Sequence, residues 1–84
     1  MKQMLVARYI VADPEICHGK LTFRGTRVFV EDVLEMVAEG MDWDAIIREW
    51  HGSITKEGIA EAVSLASRVL NAHESEFISE PVSA

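Results

Sequence analysis

Residues 13–30 read DPEICHGKLTFRGTRVFV, and the organisation of the chain follows from them. Asp13-Pro14 favours a turn, because proline fixes its own φ and pushes the residue before it out of the helical region. Between Gly19 and Gly25, Leu21 and Phe23 alternate with Thr22 and Arg24, which is the period of a half-buried strand. A second short run, Thr26 to Val30, follows at once. Gly25 can take the positive φ of a tight reversal, so the two runs are expected to form a hairpin in which Phe23 and Val28 share an apolar face. Lys20, Arg24 and Arg27 are left on or near its rim.

Upstream, Met4 to Val11 is rich in apolar and β-favouring residues, with Tyr9, Ile10 and Val11 the most strand-like. This segment is expected to pair with the hairpin or with a second copy of itself, since an exposed apolar edge strand is otherwise a liability. Downstream the period changes from two to 3.6. Val30, Val33, Leu34, Val37 and Ala38 form one amphipathic stripe, ended by Gly40. Asp42 is a good N-cap for a second helix carrying Trp43, Ile46, Ile47 and Trp50 on one face, closed by Gly52. The two tryptophans are read as core, at ~2–3 kcal/mol each if well buried. Thr55 caps a third helix with Ile59, Val63, Ala66 and Leu70 inward and Ala62 and Val69 flanking. Gly58 in its first turn is a weakness of about 1 kcal/mol relative to alanine.

A chain of 84 residues is expected to be one domain, at a size where a single core is just sufficient. The expected division is a folded domain over 1–72 and an acidic, partly disordered tail over 73–84, where Ser75, Ser79, Pro81 and Ser83 interrupt the apolar rhythm. Nearly half the residues are apolar, yet no run approaches the ~20 needed to span a membrane, and no signal-type core is read at the N-terminus. Cys17 has no partner for an internal disulfide, which agrees with a reducing compartment, so a cytoplasmic location is expected. The net charge of −6 is unevenly divided. Residues 1–28 hold five cations against two acids, a net of +3, and residues 29–84 hold three cations against twelve acids, a net of −9. An acidic helical part argues against strong non-specific DNA binding and suits a basic partner or head-to-tail self-association; a solvated acidic surface explains it too.

The run Asp13-Pro14-Glu15-Ile16-Cys17, then Gly19-Lys20, then Arg24-Gly25-Thr26-Arg27-Val28, resembles a bacterial family catalogued as domain of unknown function 433. Its pattern is DP, a small residue or Cys, GG-K-P, then RGTR and an apolar residue. The likeness continues through AEGMDWDAII at 38–47 and covers roughly Tyr9 to Leu70. It departs at His18, where the family usually has glycine, at Leu21, usually proline, and at Trp50-His51-Gly52, where Tyr-Pro and an acid are common. The resemblance implies a helix-turn-helix fold. The expected architecture is therefore mainly α: a three-helix bundle of helix-turn-helix type, homeodomain-like or winged-helix-like, with a short N-terminal β segment and hairpin.

It also implies an antitoxin-like role: binding a small PIN-like nuclease toxin and repressing the shared promoter. On that expectation Lys20, Arg24, Arg27, Lys56, Ser64 and Arg68 contact operator DNA, and Glu74, Glu76, Phe77 and Ile78 contact the toxin. A stand-alone DNA-binding regulator and a structural or oligomerising module, as a homodimer or higher oligomer, are the alternatives. Read by chemistry alone, the third helix is a poor reading face, because Glu57 and Glu61 repel phosphates. Arg24 and Arg27 have the planar fork that suits phosphate, although Arg27 can equally pair with Asp13 or Glu15 and fix the loop. His18, His51 and His73 lie far apart, with no HExxH, no CxxC and no glycine-rich phosphate loop. Neither catalysis nor a metal or other cofactor is expected.

Overall fold

A computed structural model describes residues 4–15, 19–79 and 81 of the chain. Its elements are β1 (Met4–Leu5), β2 (Ile10–Ala12), β3 (Leu21–Phe23), α1 (Val30–Ala38), α2 (Trp43–Glu49), α3 (Lys56–Ala72) and a 3-10 turn (Glu74–Phe77). Three helices therefore pack with a small antiparallel sheet of order β1-β2-β3.

The N-terminal segment is two strands rather than one. Val6 and Ala7 both donate their N–H groups to the Ile10 carbonyl, at 2.9 and 3.1 Å, and this closes a reversal that lets Met4 face Ala12 and Leu5 face Val11. β2 then pairs with β3 as expected, Ile10 opposite Phe23 and Val11 opposite Thr22. Alternation sends Ile10 and Phe23 into the core beneath the helices and leaves Val11 and Thr22 on the other sheet face, all four of them buried.

The second arm of the expected hairpin shrinks to a bridge between Thr22 and Phe29, because the helical stripe takes over at Val30. Its turn is nevertheless well closed. Gly25 sits at φ 77°, Thr26 N–H reaches the Phe23 carbonyl, and the Thr26 hydroxyl donates to that same carbonyl while accepting from Val28 N–H. Phe23 and Val28 do share one core, with Val33, Ile46, Ile54, Ile59 and Ala62.

Two of the helices start on side-chain caps. Asp42 accepts from Ala45 N–H at 2.8 Å and Thr55 from Gly58 N–H at 3.1 Å, each typically worth about 1 kcal/mol. α2 buries Ile46 completely, and Trp43, Ile47 and Trp50 pack partly buried against the core. Between α2 and α3 the chain turns through His51 at φ 56° and Gly52 at φ 75°, two successive left-handed residues that drop Ile54 into the core.

α3 departs most from expectation. Ile59 and Ala62 are buried, but Val63, Ala66 and Leu70, expected inward, are exposed. The cause is length: α3 has 17 residues, roughly 25 Å, whereas α1 has nine, roughly 14 Å, so α3 outruns the elements that could cover it. Gly58 keeps the reading its sequence suggested. It is buried in helical conformation, and a Cβ there would meet the Phe23 ring and the Thr55 hydroxyl at 3.4 Å, an ordinary van der Waals contact. Gly58→Ala is thus expected to stabilise the protein by about 0.5–1 kcal/mol in urea unfolding, through the helix propensity it restores.

Candidate functional site

The cations expected to meet DNA do not form one patch. Lys20 makes an ion pair with Glu31 of α1 and lies 5.4 Å from the Phe29 ring centre, beside the second half of α3. Lys56, at the opposite end of α3, pairs with Asp44 of α2 at 3.2 Å, and both side chains remain more than half exposed. That contact contributes little, since exposed pairs are screened. Ser64 and Arg68 are exposed on α3.

Arg24 and Arg27 sit on the turn after β3, and that turn is tied to the start of α3. Phe23 packs over Gly58, Arg24 N–H donates to the Tyr9 carbonyl at 2.7 Å, and Tyr9 in turn gives its own N–H to the Glu61 carboxylate. Both arginine side chains are exposed and make no ion pair among the described residues. Of the two readings open for Arg27, the bond to Asp13 or Glu15 is not formed among the described residues; Asp13 accepts from Glu15 N–H at 2.9 Å and closes its own turn locally. Glu61, expected to face solvent and repel phosphate, is half-buried and accepts from Tyr9 N–H in the β1–β2 reversal.

At the other end of the molecule the uncovered half of α3 and the 74–77 turn lean over α1. They enclose an apolar groove of about 500 Å³, with Leu21, Val30 and Leu34 on one wall and Leu65 and Val69 on the other. Phe77 closes one end and the Lys20–Glu31 pair lies on the rim. Phe77 and Ile78 are 63% and 76% exposed, and Glu74 and Glu76 flank them. His73 contacts Glu76 at 3.2 Å across one helical turn. Sequence periodicity missed this groove because it assigned Val63 and Leu70 to the core and left Leu65 out. The signal was available, since α3 carries apolar residues on two adjoining stripes, more than one neighbouring helix can cover.

Among the described residues no group of three or more His, Cys, Asp or Glu side chains could hold a metal ion, and no helix is long and apolar enough to cross a membrane. Cys17 and His18 lie outside the described residues.

The family profile described as Protein of unknown function (DUF433) matches residues 10–66, from the first buried residue of β2 to the middle of α3. The chain belongs to that family. Among the described residues, every buried core residue, Ile10 through Ala62, falls inside the DUF433 match, as does the Arg24–Arg27 turn. Val69, Leu70 and Phe77, which line the groove, and Ile78 beside them lie outside the matched residues. No curated protein and no solved structure matches the chain at a significant level.

Proposed function

We propose that this chain is a non-enzymatic binding protein, the antitoxin of a type II toxin–antitoxin pair, whose C-terminal segment holds a small PIN-like nuclease. The supporting observation is the 74–78 segment. Phe77 and Ile78 are largely exposed and directly follow Glu74 and Glu76, which is the chemistry of a segment that inserts apolar anchors into a basic protein surface. Burying two such side chains against a partner is favourable, and the acids steer the encounter.

The test is to isolate the tagged chain from its own host and identify what accompanies it. A small nuclease in fixed ratio is expected, and it should be lost when Phe77→Ser and Ile78→Ser are combined. Both positions are exposed, so the double variant should keep the fold within about 0.5 kcal/mol per site. Recovery of the wild-type chain with no nuclease would overturn the reading.

DNA binding is the second part of the proposal. α2 and α3 are consecutive helices joined by the 50–55 connection, an order that supports a helix-turn-helix reading, and the exposed Arg24 and Arg27 lie on the turn tied to the start of α3, where they would act like a wing. Lys56, Ser64 and Arg68 would contribute from α3, and Lys20 from beyond the wing. The same arginines favour a stand-alone regulator as the second reading. In either case, affinity for promoter DNA should fall steeply with salt, and Arg24→Ala with Arg27→Ala should flatten the log–log slope by about 2. A slope unchanged in that variant would remove the wing from the interface.

A further inference from the structure

Arg24 N–H donates to the Tyr9 carbonyl at 2.7 Å, so the β1–β2 reversal and the turn after β3 lie side by side at one end of the sheet. That reversal brings a third arginine. Arg8 is exposed, with its guanidinium over the Tyr9 ring at 5.4 Å from the ring centre. Arg8, Arg24 and Arg27 form no ion pair among the described residues, whereas Lys20 and Lys56 each meet a carboxylate.

From this juxtaposition we infer that Arg8 is a DNA-contacting residue, and that Arg8, Arg24 and Arg27 together hold the phosphate backbone of a duplex beside the start of α3. This contact rests on the DNA-binding part of the proposed function and extends the wing to a second turn.

Both turns are tied to the same helix. The Tyr9 N–H is held by the Glu61 carboxylate of α3, and Phe23, one residue before Arg24, packs over Gly58. In a helix-turn-helix that is the end of the helix that enters the groove. Arg8 therefore does not sit on a free arm, and the Tyr9 ring beneath its guanidinium reduces the side-chain freedom that a contact would remove. A guanidinium held over a ring still presents N–H donors to a phosphate, which accepts two of them in parallel.

Charge confines the contact to this end. Residues 29–84 carry a net of −9 and repel phosphate. Of the acids at the start of α3, Glu61 is engaged by Tyr9 N–H and Glu57 is exposed, and the three arginines outweigh the two. An acidic protein is the other class of occupant for such a cluster, but protein interfaces are centred on apolar or aromatic anchors. The turn reads Arg24-Gly25-Thr26-Arg27 and has none, and Tyr9 is half-buried with Arg8 over its ring.

The experiment is fluorescence anisotropy of the full chain on a labelled duplex of its own promoter, across about 50–300 mM salt. Arg8→Ala should weaken binding several-fold and flatten the log–log slope by about 1, and adding Arg24→Ala and Arg27→Ala should bring the total to about 3. Arg8→Lys, which keeps the charge, should keep the wild-type slope. Ser79→Glu lowers the net charge by the same unit at an exposed residue beyond the 74–77 turn, and it should leave the slope unchanged. Arg8 is exposed, so the urea midpoints of its variants should match that of the wild type. A wild-type slope in Arg8→Ala, beside a flattened one when Arg24 and Arg27 are replaced, overturns the role of Arg8 and leaves the DNA reading standing. Absence of binding by the wild-type chain overturns both. Equal flattening by Ser79→Glu overturns the assignment, as does displacement of the duplex by poly-L-glutamate as readily as by unlabelled promoter.

Discussion

Phe23→Ala is expected to cost about 3–5 kcal/mol, the range for removing a buried aromatic ring. Phe23 is 3% exposed, and its ring joins three parts of the molecule. It stands opposite Ile10 across the sheet, lies over Gly58 at the start of α3, and shares the core with Val28 beyond the Arg24–Arg27 turn. A domain of this size holds a total stability near the lower end of the usual 5–15 kcal/mol, so the variant should be close to unfolded at room temperature. Urea titration followed by the partly buried Trp43 and Trp50 would read this directly. A loss below about 1 kcal/mol would mean that α3 closes over the vacancy and that the ring is not the junction described here.

The neighbouring residue should respond in the opposite direction. Thr22 points to the other face of the same strand and is fully buried, with its hydroxyl oxygen lacking any hydrogen-bond partner among the described residues. A buried, unpaired hydroxyl carries a desolvation cost of about 1–3 kcal/mol, and valine fills nearly the same shape without it. Thr22→Val is therefore expected to raise stability by about 1–2 kcal/mol. In a domain of this length each kcal/mol moves the thermal midpoint by about 4–8 °C. A midpoint that falls would show that the hydroxyl is satisfied in solution. Two adjacent residues, three chain bonds apart, thus have opposite expected effects because a strand sends them to different surroundings.

The helices were legible because what starts and stops them is local. Asp42 and Thr55 cap within three residues, Gly40 takes φ 87° just past α1, and the apolar stripes name Val33, Ile46 and Ile59 correctly as core. The Arg24–Gly25 reversal was legible for the same reason. The β1–β2 reversal was not: Val6-Ala7-Arg8-Tyr9 contains neither glycine nor proline. It is held by a doubly used Ile10 carbonyl and by a carboxylate 52 residues away, Glu61, neither of which a local pattern reveals. The burial of α3 failed differently. Periodicity gives the face a helix turns inward, but the length over which that face is covered depends on the neighbours, and α1 stops after nine residues. Of the residues proposed to bind, the exposure of Arg24, Arg27, Phe77 and Ile78 matches the sequence reading, while the Lys20–Glu31 and Lys56–Asp44 pairs join cations of the organising stretch and of α3 to acids the sequence left unpaired.

The unequal lengths of α1 and α3 also divide one continuous helix into two units of different cooperativity. Amides up to about Leu65 belong to turns anchored by Ile59 and Ala62, and they should exchange with solvent deuterium only when the whole domain opens. Amides beyond that point are in turns whose side chains are almost all exposed, and in a lone chain they should exchange by fraying from the Ala72 end, at a rate insensitive to mild denaturant. The boundary falls inside a single ladder of backbone hydrogen bonds, so the protection profile along α3 reports how far the bundle reaches. Whatever covers the outer half must lend it protection, and its occupancy can be read residue by residue from those last amides.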